Sequence, residues 1–147
     1  MSEPSDSSVG ATPAPILGAL AIVVAVLIVI GLLNVFSSDE LTDDQQIRRA
    51  VVAQNDALQR QDYADFRQYT CVEQQGVESK VITGQRDSSA KLGERFIDSA
   101  TNVAIDGEKA TADVTYHFDK FPDDEETAEI AFVRQDGAWK VCSTGPK

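Results

Sequence analysis

The sequence predicts an α+β fold, with helices first and an antiparallel sheet after them, carried behind one apolar membrane-spanning helix. Three observations predict it. Apolar residues recur at helical spacing from Thr42 to about Asp98 and at every second position beyond. Two Asp-Gly pairs, Asp106-Gly107 and Asp136-Gly137, sit between alternating runs as hairpin turns. A run of 21 uncharged residues, Ile16–Phe36, precedes every basic residue in the chain. Helices segregated from strands in this way pack together on one face of the sheet.

The chain has 147 residues and a net charge of −11, which fits one domain with an appendage. That charge argues against a nucleic-acid partner, which needs a basic face to displace counterions, and against docking on anionic lipid. Residues 1–15 contain three Pro, four Ser and no aromatic or basic residue, and are expected to form a disordered tail. In the run Ile16–Phe36, Asn34 is the one clearly polar residue. As a helix rising 1.5 Å per residue it matches the ~30 Å hydrocarbon core. A cleavable signal peptide would need a basic start and a shorter apolar core, so the segment is read as an uncleaved anchor. Residues 37–44 form an acidic linker and helix cap. Residues 45–147 form the folded domain.

Orientation is argued from two opposing signals. The basic residues nearest the span, Arg48 and Arg49, lie on its C-terminal side and favour a cytoplasmic domain. Cys71 and Cys142 favour the other side. They are the sole pair, lie far apart, and have no neighbouring third ligand, a pattern that reads as a disulfide in an oxidising compartment. Two unrelated buried thiols are the alternative. Giving the cysteines more weight puts the N-terminus in the cytoplasm and the domain outside.

Within the domain, Thr42 with Gln45 three positions on is a capping-box pattern, and Asp43 and Asp44 suit the positive end of a helix. Ile47, Ala50, Val51 and Leu58 then share a face, with Gln54 in the middle of that stripe. A short helix is expected over Asp62–Cys71, with Tyr63, Phe66 and Thr70 on one face. The stretch Val77–Ile82 fits a strand or a helical turn. Gly84 is expected to break the chain, and Asp87 or Ser88 to start a third helix that buries Leu92 and Phe96. Thr101, Val103 and Ile105 then pair with Ala112, Val114, Tyr116 and Phe118 in a first hairpin. Phe121–Thr127 is expected to be a polar connection. The second hairpin runs from Ala128–Val133 to Trp139 and Val141, with Phe132 opposite Val141, sharing a face with Ile130 and Trp139.

Asp62-Tyr63-Ala64-Asp65-Phe66 leading to Thr70-Cys71, and Asp136-Gly137-Ala138-Trp139-Lys140-Val141-Cys142, carry a resemblance. Over residues 40–143 the chain resembles actinobacterial single-pass envelope proteins with a nuclear-transport-factor-2-like, cystatin-like cone domain. The resemblance implies N-terminal helices on a curved antiparallel sheet, presented outside the cell. It implies no particular chemistry, since one fold hosts many functions.

A catalytic set is not expected. The one histidine, His117, is placed on the solvated sheet face with Asp113 and Thr115. Asp98, Asp113 and Tyr116 are the formal acid/base candidates for an isomerase or dehydratase. No metal site and no cofactor are expected, because zinc needs closely spaced Cys and His ligands. The acidic run Asp123–Glu126 lacks the spacing of a calcium loop. The expected function is a non-catalytic, membrane-anchored accessory module that engages another envelope protein. The alternative is a small apolar or lipid-like ligand in the cone, with Gln54, Tyr63, Phe66, Tyr116 and Trp139 as lining residues. An open sheet face makes a homodimer a further expectation.

Overall fold

A computed structural model describes residues 21–29 and 40–143. The chain divides into two compact units, Met1–Glu40 and Leu41–Lys147. In the first, residues 21–29 form a helix, α1, with exposed side chains. Among the described residues no helix is long and apolar enough to cross a membrane. Residues 16–20 and 30–36 of the expected span, the tail over 1–15 and residues 37–39 of the linker lie outside the described residues.

The second unit is α+β. Helix α2 (Asp43–Gln59) opens with the expected capping box: Gln45 N–H donates to Thr42 Oγ1 at 3.3 Å, and Thr42 N–H donates to Gln45 Oε1 at 2.9 Å. Its buried stripe is Ile47, Ala50, Val51, Gln54, Asn55 and Ala57. Helix α3 (Tyr63–Tyr69) is capped by Asp62, whose Oδ1 accepts from Asp65 N–H at 2.9 Å. The Tyr63–Tyr69 helix ends before Thr70, whose extended backbone bridges in parallel to Val141.

Helix α4 spans Glu78–Leu92 without a break. The expected interruption at Gly84 and restart at Asp87 or Ser88 do not occur. A glycine inside a helix costs about 1 kcal/mol against Ala, too little to break one pinned at both ends. Here Tyr63 Oη donates to Gly76 O at 2.7 Å near the start, and Lys120 N–H and Nζ donate to Leu92 O and Ala90 O at 3.1 and 2.6 Å near the finish. Phe96 belongs to the next strand and is exposed, and α4 buries no residue at all.

Four strands follow in the order β1-β2-β3-β4, all antiparallel: β1 (Arg95–Asp106), β2 (Lys109–Phe118), β3 (Phe121–Gln135) and β4 (Ala138–Val141). The alternation expected in the second strand holds, with Ala112, Val114, Tyr116 and Phe118 buried. Phe132 pairs with Val141 as expected. The supposed connection Phe121–Thr127 is instead the first half of β3, paired with Phe118 through Thr115 of β2. Its side chains are exposed, so no burial alternation marks it as strand.

Helix α2 packs on the inner sheet face. Ile47, Ala50 and Val51 meet Val114, Ile130, Phe132, Trp139 and Val141 in one core. Fully burying each large apolar side chain contributes roughly 1.5–3 kcal/mol. Strands β1 and β4 are the sheet edges. The outer edge of β4 is occupied at Val141 by Thr70, which bridges to it, and by Cys71, whose N–H donates to Val141 O at 2.9 Å. Strand β1 has register breaks between Ile97 and Ser99 and between Thr101 and Ala104, with Asn102 at φ 52°.

Candidate functional site: a cleft beneath helix α4

Cys71 and Cys142 form a disulfide that closes 71 residues of chain and joins the end of α3 to the end of β4. The pairing read from the sequence is therefore present. It sits where Cys71 N–H already bonds Val141 O, so covalent and backbone links fall at one junction. Glu73 offers a carboxylate beside the two sulfurs, but sulfurs committed to one another have no thiolate to give a metal.

Two spaces lie between the helices and the sheet. The inner one, enclosed by Val51, Gln54, Asn55, Val114, Tyr116 and Ile130 among others, has a volume of about 10 Å³. That is room for about one water. The outer one is an open cleft of about 530 Å³ between α2, α3 and α4. Leu58, Phe66, Val81 and Leu92 supply apolar wall, and Lys80, Lys91 and Arg95 supply cations. Its volume is that of a small-molecule site.

Gln54 borders both spaces. Its Nε2 donates to Thr70 Oγ1 at 2.8 Å, and the Thr70 hydroxyl donates onward to Phe66 O at 2.8 Å. The polar residue in the apolar stripe is thus a satisfied core group with one edge at the cleft. Phe66 lines the cleft, while Tyr116 lines only the inner space. Tyr63 lines neither; it stacks on Phe66 with ring centroids 6.0 Å apart and holds Gly76. Trp139 lies away from both, at the start of α2, where its indole Nε1–H donates to Asp43 Oδ1 at 3.0 Å. Arg134 Nη2 meets the same Oδ1 at 2.7 Å and its guanidinium lies over the Trp139 ring at 4.8 Å. The Trp139 hydrogen bond, then Arg134, hold the Asp43 carboxyl below its ordinary range, opposed by its partial desolvation. Of the five expected lining residues, Gln54 and Phe66 meet at the cleft.

The acid/base candidates stand apart. Asp98 is 2.8 Å from His117 Nδ1 on the outer sheet face, where Phe96 stacks on the imidazole at 5.3 Å. Asp113 accepts from Asn102 Nδ2 at 2.8 Å. Tyr116 Oη donates to Glu126 Oε2 at 2.6 Å, and burial followed by that carboxylate pushes the phenol up to about 12. The sequence does not signal the Asp98–His117 pair, because its alternating period becomes visible only beyond Asp98. The run Asp123–Glu126 lies within a strand, so its successive carboxylates point to opposite faces and do not converge on one cation.

Arg95 and the α4 side of the cleft were also missed. Arg95 Nε donates to Asn55 Oδ1 at 2.9 Å, and Asn55 Nδ2 returns a bond to Arg95 O at 2.9 Å. Burial lowers the guanidinium from its ordinary value. A signal existed: Lys80, Gly84, Ser88 and Lys91 fall on one helical face, cationic at the ends and small in the middle. At Gly84 an added Cβ would meet nothing within 4 Å.

The family model of the low molecular weight antigen MTB12, C-terminal domain, matches residues 70–144. No curated protein matches the chain. Among solved structures, a protein named as an NTF2-like transpeptidase from Campylobacter jejuni is similar at 14% identity and a TM-score of 0.44, over 63% of this chain and 94% of that one. A SEC-C motif-containing protein from Rhodopseudomonas palustris is similar at 14% identity and a TM-score of 0.41, over 60% of this chain and 68% of that one. At such scores neither carries an argument about function.

Proposed function

The chain belongs to the family of the low molecular weight antigen MTB12 C-terminal domain, and from that premise we propose that it is an accessory module of the cell envelope that works by binding. In this reading it is an actinobacterial single-pass protein, anchored through Ile16–Phe36, with its nuclear-transport-factor-2-like domain outside. Its partner is another envelope protein, engaged without catalysis.

The observation that carries this reading is the Cys71–Cys142 disulfide. A bond that closes 71 residues suits a small domain working in an oxidising compartment. The separation of Asp98, Asp113 and Tyr116, each already engaged by a different neighbour, favours binding over acid/base chemistry. Thiol alkylation of native membranes, with and without reductant, tests the placement: both cysteines should be blocked until reduced. Mild crosslinking followed by pulldown should then recover a specific membrane or secreted protein. Free cysteines in native membranes would overturn the topology, and a pulldown without a specific partner would count against the role.

A second reading is favoured by the cleft itself: a module that binds a small lipid-like molecule. About 530 Å³ bordered by Phe66, Leu58 and Leu92 beside a helix that buries no residue is space a ligand can fill.

A further inference from the structure

We propose that the cleft beneath α4 binds a single-chain anionic amphiphile, a carboxylate on a medium-length alkyl tail, and that α4 is the wall that selects the charge. The proposal rests on the ligand-binding reading above and adds the chemical class.

The cleft has two chemistries in one space. Leu58 and Phe66 on one side and Val81 and Leu92 on the other give an apolar channel. Lys80 and Lys91, eleven residues apart on the same face of α4, place ammonium groups toward its two ends. Arg95, just beyond α4, adds a guanidinium at the border with the inner space. Against the two lysines the cleft wall holds, among the described residues, one acid, Asp87. The chain as a whole runs the other way, with 24 acidic residues to 13 basic. A local excess of cations on an acidic protein attracts an anion, and a low-dielectric wall strengthens that attraction.

The cleft is preformed. Helix α4 is fastened at its start by Tyr63 and at its finish by Lys120. Midway, Gln85 Nε2 donates to Gln59 Oε1 at 3.0 Å and Arg86 Nε donates to Gln61 Oε1 at 2.7 Å. These polar ties hold the helix off the core without filling the space beneath it. Gly84 faces open space at the centre, which leaves room for an alkyl chain to pass. Ser88 gives the same face a hydroxyl donor for a carboxylate.

The test uses the full chain in phosphatidylcholine vesicles and a diazirine-bearing dodecanoic acid, with the matching alcohol as the uncharged probe. Photolabelled peptides are mapped by mass spectrometry. The acid should label residues 78–95 roughly tenfold more than the alcohol does, the size expected for two partly screened charges. Gly84→Leu fills the cleft while replacing a helix-interior glycine with a better helix former, and should abolish that label with the circular dichroism unchanged. Lys80→Gln with Lys91→Gln should lower the acid's label to the level of the alcohol's. Equal labelling of this region by acid and alcohol would overturn the charge assignment and leave the ligand-binding reading standing. Label from both probes confined to residues 16–36, or label unaffected by Gly84→Leu, would overturn the proposal and that reading together.

Discussion

Reduction of the Cys71–Cys142 bond should destabilise the domain mainly through its unfolded state. The bond closes 71 residues. In the chain-entropy model, releasing a loop of that length costs roughly 4 kcal/mol at 25 °C. A typical domain has about 5–15 kcal/mol of stability in all. For a folded unit of this size the loss corresponds to a fall in Tm of roughly 20 °C. The native junction should survive it, because Cys71 N–H still bonds Val141 O and Thr70 still bridges Val141. Two signatures separate this account from simple loss of a contact. The reduced protein should keep its near-ultraviolet circular dichroism in the absence of denaturant. It should also unfold with a larger urea m-value, since an uncrosslinked chain exposes more surface when unfolded. Urea titrations of the oxidised and reduced forms, monitored by Trp139 fluorescence, measure both. Unfolding free energies differing by less than about 1 kcal/mol, with equal m-values, would refute the loop-closure argument. Loss of the near-ultraviolet signal on reduction would instead show that the bond shapes the native junction.

Three further outcomes follow from single side chains. Thr70→Val removes the acceptor of Gln54 Nε2 and the donor to Phe66 O, and should cost about 1–3 kcal/mol in urea unfolding, with Gln54→Leu in the same chain recovering part of that cost. Two glycines, one inside α4 and one at its C-cap, should respond with opposite signs to Ala. Gly84→Ala meets open space and should stabilise by up to about 1 kcal/mol, whereas Gly93→Ala, at φ 86° with Asp119 Cβ 2.9 Å from the new methyl, should destabilise by about 2 kcal/mol or more. Tyr116 governs an alkaline limb. Its phenol is raised from 10 to about 12 in the folded protein, so its contribution is intact below pH 10 and is lost as pH rises from 10 through about 12. The wild type should therefore lose more stability than Tyr116→Phe over that window, and parallel pH profiles of the two would contradict the assignment.

The elements that bury an apolar stripe were legible in the sequence, and those that do not were not. Helix α2 was readable because Ile47, Ala50 and Val51 must face the sheet, and its cap chemistry is local to Thr42 and Gln45. The β3–β4 hairpin was readable because Ile130, Phe132, Trp139 and Val141 alternate into the core around an Asp-Gly turn. Helix α4 buries no residue, so no buried apolar stripe marks it, and Gly84 reads as a break although its cost to a helix is small. The first half of β3 is exposed on both faces, which removes the alternation a strand reading depends on. The cleft suffered with α4: Gln54 and Phe66 were identified from the buried side, while Lys80, Lys91 and Arg95 required the helix to be drawn through Gly84. An indole on a core face has two uses, lining a pocket or bonding a polar partner, and only the fold brings Asp43, 96 residues earlier, within reach of the Trp139 N–H.

The two edges of the sheet bear on the behaviour of the protein at high local concentration. A flat, unpaired edge strand is a template on which a second chain can add, and stacked additions lead to fibres. At β4 that route is obstructed at the strand's C-terminal end, since Thr70 and Cys71 already pair with Val141 and the disulfide holds them there. At β1 it is discouraged by shape: the two register breaks and the left-handed Asn102 interrupt the row of donors and acceptors an incoming strand would need. The disulfide therefore guards solubility as well as stability. The junction persists in the reduced native state, but a domain several kcal/mol less stable opens more often, and each opening uncovers a four-residue edge that begins next to Trp139.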